Sequence, residues 1–162
     1  MKRKVETAVI HVLFVCMGNI CRSPTAQGVF EAMTTADGLS HAIRADSAGT
    51  ISSHAGEPPD PRAAEAAAAR GYDSSRQRAR RGEPEDFLDF DLVLAMDGTN
   101  KAALERLATG NARDKLHLFL DFSPGLDVRE VPDPYYGGED GFARVLDICE
   151  AGARGLLEHL KL

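Results

Sequence analysis

Tryptophan is absent from the 162 residues, and aromatic side chains make up only 6% of them, so any core has to be packed largely from Val, Leu and Ala. Cysteine is scarce. Cys16, Cys21 and Cys149 are too few and too unevenly spread for a disulfide framework and fit a reducing compartment, which makes the cytoplasm the expected location. No stretch approaches the roughly 18 apolar residues of a membrane helix. The N-terminal MKRKVETAVIHVLFV starts basic but is interrupted by Glu6 and His11, with no small-residue cleavage site after it. A soluble protein without membrane attachment is expected. Positive charge is also in deficit: the formal net charge of −6 disfavours general binding to nucleic acid or to anionic membranes and points to a discrete group as partner. Neither G-x-x-x-x-G-K-[ST] nor a G-x-G-x-x-G opening the first helix is present, which argues against nucleotide binding. His11, His41, His54, His117 and His159 show no metal-ligand spacing with one another or with the cysteines, so no metal is expected.

What is there is a regular alternation. The length suits one domain over residues 1–162. VIHVLFV (Val9 to Val15) reads as a buried strand, and Ala26, Val29, Phe30 and Met33 then recur at helical spacing behind Pro24. A weaker strand lies around Ile43. PPDPRAAEAAAARG predicts a helix with Asp60 as N-cap, Pro61 in the first turn and Gly71 as its stop. FDLVLAM (Phe90 to Met96) and LHLFL (Leu116 to Leu120) read as strands around a helix in TNKAALERLATG that ends at Gly110. Phe142, Val145, Leu146, Cys149, Ala153, Leu156, Leu157 and Leu160 form one apolar stripe, which makes Cys149 a core residue. Strands alternating with crossover helices predict a three-layer α/β sandwich: a central, mostly parallel four-stranded sheet of Rossmann-like or flavodoxin-like type with helices on both faces.

In such a sheet the functional crevice lies at the carboxyl ends of the strands, where a strand-to-helix turn presents backbone N–H groups and a positive dipole end. CMGNICRS occupies that turn after the first strand. The amides of Met17, Gly18, Asn19, Ile20 and Cys21 are placed to ring a phosphate or similar oxyanion, with Gly18 allowing close approach. Cys16 opens the loop where dipole and N–H groups favour the thiolate, and Arg22 closes it with a planar fork matched to two phosphate oxygens. Taken alone, a cysteine after a strand is usually a small hydrophobe and an arginine at a helix start is usually solvated. Their coincidence with Gly18, Asn19 and the hydroxyl of Ser23 suggests phosphoryl transfer through a cysteinyl-phosphate.

VLFVCMGNICRSP and DPYYG (Asp133 to Gly137) resemble the low-molecular-weight protein tyrosine phosphatases, and DSAGT, HAGEPPDPR and FDLVLAMDGTN are similar to further segments of that family in the same order. The resemblance covers nearly the whole chain. It implies that Cys16 is the nucleophile, that Arg22 and the loop amides hold the equatorial oxygens, and that Ser23 hydrogen-bonds the sulfur and helps it leave. It further implies that Asn19 holds the loop in left-handed geometry with support from Ser47, and that Asp133 is the general acid and then the base. Tyr135 would flank the substrate ring, and Cys21 would form a reversible disulfide with Cys16. The implied substrate is a phosphotyrosine-containing protein, a bacterial tyrosine kinase among the candidates, with no cofactor.

The chain departs from the pattern at two places. Ser53 in ISSHAG stands where many members carry an aromatic wall residue, which implies a one-sided clamp on the substrate ring. Arg76 or Arg78 stands where relatives often have His, within a run (Arg70, Arg76, Arg78, Arg80, Arg81) that reads either as a steering patch or as a solvated loop. Two other classes compete with the phosphatase. One is a thiol-coupled arsenate reductase, which needs a downstream relay cysteine and has only Cys149. The other is a phosphate-binding module without turnover.

Overall fold

The apolar run at the N-terminus forms strand β1, Ile10–Cys16, in a computed structural model that describes residues 8–134 and 139–161. Its side chains show no polar alternation because both faces of the strand are covered: Val12, Phe14 and Cys16 enter one apolar cluster, Leu13 and Val15 the other. Strands β2 (Ile43–Gly49), β3 (Leu92–Ala95) and β4 (Leu116–Leu118) complete a four-stranded sheet in the order β2-β1-β3-β4, with every pairing parallel. The register sets Phe14 beside Ser47 and Cys16 beside Gly49, so the end of β2 is delivered to the turn that follows β1.

Helices cover both faces, as the alternation predicts. On one side, α1 (Arg22–Ala36) and the long C-terminal helix α5 (Glu139–Leu160) pack Val29, Phe30, Val145, Cys149 and Leu156 onto Phe14 and Leu94. Phe14 lies edge-on between Phe30 and Phe119, with centroids 5.6 Å and 5.3 Å away. Helix α2 (Pro61–Ala69) adds Ala67 to this layer, and its Ala63 packs with Phe142, Ile20 and Cys21 beneath the loop after β1. On the other side, Phe87 of the short α3 (Asp86–Asp89) and Leu104 of α4 (Gly98–Glu105) pack onto Leu13, Val15 and Val93. Cys149 is fully buried, and burial pushes its thiol far above the ordinary range.

Helix α2 has the boundaries its sequence signals predict. Asp60 accepts the Arg62 N–H at 2.8 Å, Pro61 opens the helix, and Gly71 follows it at φ 88°. Helix α4 differs: it begins at Gly98 behind an Asp97 cap and ends at Glu105, well before Gly110. Gly110, at φ 56°, opens a 3₁₀ segment (Gly110–Lys115). LHLFL likewise divides. Strand β4 stops at Leu118, and Phe119–Phe122 turns into a 3₁₀ segment in which Asp121 accepts the Leu118 N–H at 3.2 Å and sends Phe119 and Leu120 into the core. Among the described residues, no helix is long and apolar enough to cross a membrane.

Candidate active site

The loop from Cys16 to Arg22 is held from outside by backbone and side-chain bonds. Thr50 N–H donates to the carbonyls of Cys16 and Met17 at 3.0 Å and 2.9 Å, and Asp60 N–H donates to the Ile20 carbonyl at 2.8 Å. Gly49 makes this approach possible, because a Cβ there would sit 2.7 Å from the Met17 carbonyl oxygen. Within the loop Asn19 takes φ 59°, the left-handed conformation that Asn tolerates better than most residues. Its amide oxygen accepts the Arg80 N–H at 3.0 Å, and its NH₂ donates to Ser23 Oγ and to Ser47 Oγ, both at 2.9 Å.

Cys16 Sγ receives the Asn19 N–H at 3.3 Å and lies 3.0 Å from Ser23 Oγ. Arg22 is buried as the first residue of α1, whose N-cap Cys21 makes no side-chain capping bond, so the helix N-terminus opens toward the loop. Arg22 Nη1 donates to Asp97 Oδ2 at 2.7 Å and to the Val131 carbonyl at 3.0 Å. Burial works to lower the pKa of this guanidinium, but the hydrogen bond to Asp97 and the charges at Cys16, Asp97 and Asp133 outweigh it and leave the pKa raised. Asp97 serves two elements, since its Oδ1 also accepts the Asn100 N–H at 2.8 Å and caps α4.

Asp133 brings Oδ2 to 3.6 Å from Arg22 Nη2 and lines the same pocket as Cys16 and Arg22, a cavity of about 60 Å³. Met17, Gly18, Ile20 and Cys21 also line it, whereas Asn19 and Ser23, both buried, stand behind the loop and do not. Tyr135 lies outside the described residues. Ser53, where the resemblance implies a missing aromatic wall, does not line the pocket, but its neighbours do. A turn in which Ala55 N–H donates to the Ser52 carbonyl at 3.0 Å leaves Ser53 exposed, while Ile51 and His54 face the pocket. His54, which sequence alone leaves without a function, packs so close over Gly18 that a Cβ on Gly18 would lie 3.1 Å from its ring, and its Nδ1 is 3.2 Å from Glu57 Oε1.

Cys21 is buried, and burial, reinforced by Asp60, Cys16 and Asp133, pushes its thiol up to about 12. The arginine run proves partly structural. Arg80 pairs with Asp46 at 3.2 Å and Asp86 at 3.1 Å, and Arg70 pairs with Asp147 at 2.8 Å and Glu150 at 2.9 Å. No pattern of spacing in the sequence marks Asp97, Ile51 or Arg80 as parts of the site.

Comparison with known proteins gives the family. The family described as low molecular weight phosphotyrosine protein phosphatase matches residues 11–162. A low molecular weight protein-tyrosine-phosphatase of Streptomyces coelicolor is 46% identical over 150 residues, covering 90% of each chain. A low molecular weight phosphotyrosine protein phosphatase of Schizosaccharomyces pombe is 43% identical over 84% of this chain and 87% of its own. Among solved structures, a protein tyrosine phosphatase from Entamoeba histolytica superposes with a TM-score of 0.89 at 40% identity, covering 94% of this chain and 99% of that one. YfkJ from Bacillus subtilis gives 0.90 at 36% identity over 95% and 96%. The chain belongs to the low molecular weight phosphotyrosine protein phosphatase family.

Proposed function

We propose that residues 1–162 form one phosphatase domain that hydrolyses phosphotyrosine in proteins, and small aryl phosphates, through a cysteinyl-phosphate at Cys16. The observation that carries this reading is the convergence of a sulfur bonded to Ser23 and to the Asn19 N–H, a buried Arg22 and the Asp133 carboxyl on one small pocket. In the first step the Cys16 thiolate attacks phosphorus while the bond to the phenolic oxygen breaks. Arg22 and the loop amides hold the equatorial oxygens, and Asp133 protonates the departing oxygen. In the second step Asp133 takes a proton from water, which attacks phosphorus. The S–P bond breaks, the electron pair returns to sulfur, and the Ser23 hydroxyl stabilises the thiolate. Every proton is accounted for by Asp133, so the steps need no further group. The arsenate-reductase reading loses its relay, because Cys149 is fully buried in the core.

The same reading places the enzyme in the cytoplasm, acting on phosphotyrosine proteins such as a bacterial tyrosine kinase, with Cys21 as the partner that closes a protective disulfide on oxidised Cys16. Both thiols line one pocket and both are free. Hydrolysis of an aryl phosphate under reducing, chelated conditions tests the activity. Turnover is expected in the parent, none in Cys16→Ser, and a loss of about 10²–10⁴-fold in Asp133→Ala. An inert parent that still binds oxyanions would contradict the reading and favour a binding module.

A further inference from the structure

Three polar residues follow one another at i, i+4 spacing along α1: Ser23, Gln27 and Glu31. Ser23 is bonded to the nucleophile's sulfur, and Gln27 is almost fully buried. Gln27 Oε1 accepts the Ser47 hydroxyl proton at 2.7 Å, while its Nε2 lies 3.4 Å from Glu31 Oε2. Four hydrogen bonds then lead from Gln27 to Cys16 by way of Ser47, Asn19 and Ser23. Gln27 and Ser47 also line a polar groove of about 300 Å³ with Glu31, Asp46, Arg76 and Arg78.

The direction of each bond in this chain follows from what its neighbours leave open. The Arg80 N–H occupies Asn19 Oδ1, so Nδ2 faces the two serines and spends one N–H on each. Ser47, whose oxygen already receives that N–H, must send its own proton elsewhere, and Gln27 Oε1 is the acceptor it reaches. Ser23, filled in the same way, has its proton left for Cys16 Sγ at 3.0 Å or the Ala48 carbonyl at 3.4 Å. The first contact is short for sulfur and the second is long for a hydroxyl, so the proton goes to sulfur. Without an acceptor at Gln27, a buried hydroxyl proton is orphaned; Ser47 must reorient, and Asn19 loses one of the bonds that hold its left-handed backbone.

We infer that Gln27 is a positioning residue: by accepting the Ser47 proton it fixes the polarity of the Asn19 and Ser23 bonds and so aims the Ser23 hydroxyl at the Cys16 sulfur. This rests on the phosphatase reading for its role in turnover, but not for its first readout. That readout is the rate of Cys16 alkylation by iodoacetamide against pH, followed by peptide mass mapping, in the parent, Gln27→Leu and Gln27→Glu. Gln27→Leu, which has no acceptor, is expected to alkylate several-fold more slowly near neutrality and to shift its profile to higher pH. Gln27→Glu, which keeps an acceptor at the same reach, is expected to follow the parent at alkaline pH, where the introduced carboxylate is ionised despite Glu31, Asp46 and Asp73 and with Arg76 and Arg78 alongside. In turnover Gln27→Leu should lower kcat by about tenfold with KM little changed, the effect of one ordinary hydrogen bond. The double variant Gln27→Leu/Ser47→Ala should be no worse than Ser47→Ala. Equal losses in Gln27→Leu and Gln27→Glu, a profile in Gln27→Leu that matches the parent, or additive effects with Ser47→Ala would overturn the inference. An inert parent whose alkylation profile still responds as described would remove the phosphatase reading alone.

Discussion

Ile51 and His54 stand on the turn after β2, yet they wall a pocket whose chemistry belongs to the turn after β1. Ile51 is one of three large apolar side chains exposed among the described residues, and Met17, another, lines the same pocket. Two apolar groups at the mouth of an anion site suit an aromatic ring more than a bare phosphate. Ile51→Ser should therefore raise KM for an aryl phosphate roughly fivefold, about 1 kcal/mol of lost apolar contact, while inhibition by inorganic phosphate stays as in the parent. An equal weakening of both would show that Ile51 shapes the loop and not the ring's wall. Cys21 carries a second prediction at this scale. With its thiol pushed up to about 12, only a small fraction is thiolate near neutrality, so closure onto a peroxide-oxidised Cys16 should quicken roughly tenfold per pH unit across pH 7–9. Cys21→Ser should lower the fraction of activity that thiol recovers after peroxide, because a Cys16 sulfenic acid with no neighbouring thiol to close onto it goes on to sulfinic acid. Recovery that is independent of pH, or unchanged in Cys21→Ser, would remove Cys21 from that role.

The residues most legible in the sequence are those whose spacing is itself the chemistry. Cys16, Gly18, Asn19, Arg22 and Ser23 lie in one short turn, so their coincidence can be read without a fold. Asp133 needed the family resemblance, because an Asp among prolines and glycines otherwise reads as a turn former. Asp97 and Arg80 were not legible, since Asp97 reaches Arg22 and Arg80 reaches Asn19 only after the sheet has brought three separate loops together. The same holds for the wall. Ser53 in place of an aromatic implies a one-sided clamp, but the turn from Ser52 to Ala55 presents Ile51 and His54 to the pocket.

At the scale of elements, agreement is closest where local signals and packing coincide. Helix α2 has cap, proline and glycine stop in their expected places, and the α5 stripe is buried as its period predicts apart from the partly buried Leu160. Boundaries shift where tertiary packing overrides propensity: Leu107 and Ala108 leave the α4 helix, and Phe119 leaves the β4 line, because the core claims them in another direction. Two of the three glycines of helix α5, Gly152 and Gly155, are explained not by its apolar stripe but by close packing. A Cβ at Gly152 would lie 2.9 Å from Leu120 and Phe119, and one at Gly155 would overlap Ser123 Oγ, so α5 sits flush on the 3₁₀ segment after β4. Alanine favours helix over glycine by about 1 kcal/mol, yet Gly155→Ala should destabilise the protein by roughly 1–3 kcal/mol through this overlap. Thermal or urea unfolding reads the sign directly, and a gain in stability would mean that α5 can lift away at no cost.

Across the whole molecule, the site is assembled by the parallel sheet. The β1–β2 register sets Cys16 beside Gly49, β3 runs alongside β1 and leads to Asp97, and the segment after the second 3₁₀ turn returns Val131 and Asp133 to Arg22. Nothing in that framework is specific to phosphate until the Cys16-to-Ser23 turn is placed at its carboxyl edge, where the N-terminus of α1 and a buried guanidinium meet one sulfur. The central claim is that this sulfur becomes covalently phosphorylated, and it is tested most directly by acid-quenching Asp133→Ala during turnover of an aryl phosphate and mapping the modification by mass spectrometry. The account predicts one phosphate on the peptide bearing Cys16, absent in Cys16→Ser and before substrate is added. Turnover with no phosphocysteine at any quench time, or phosphate found on another residue, would contradict it.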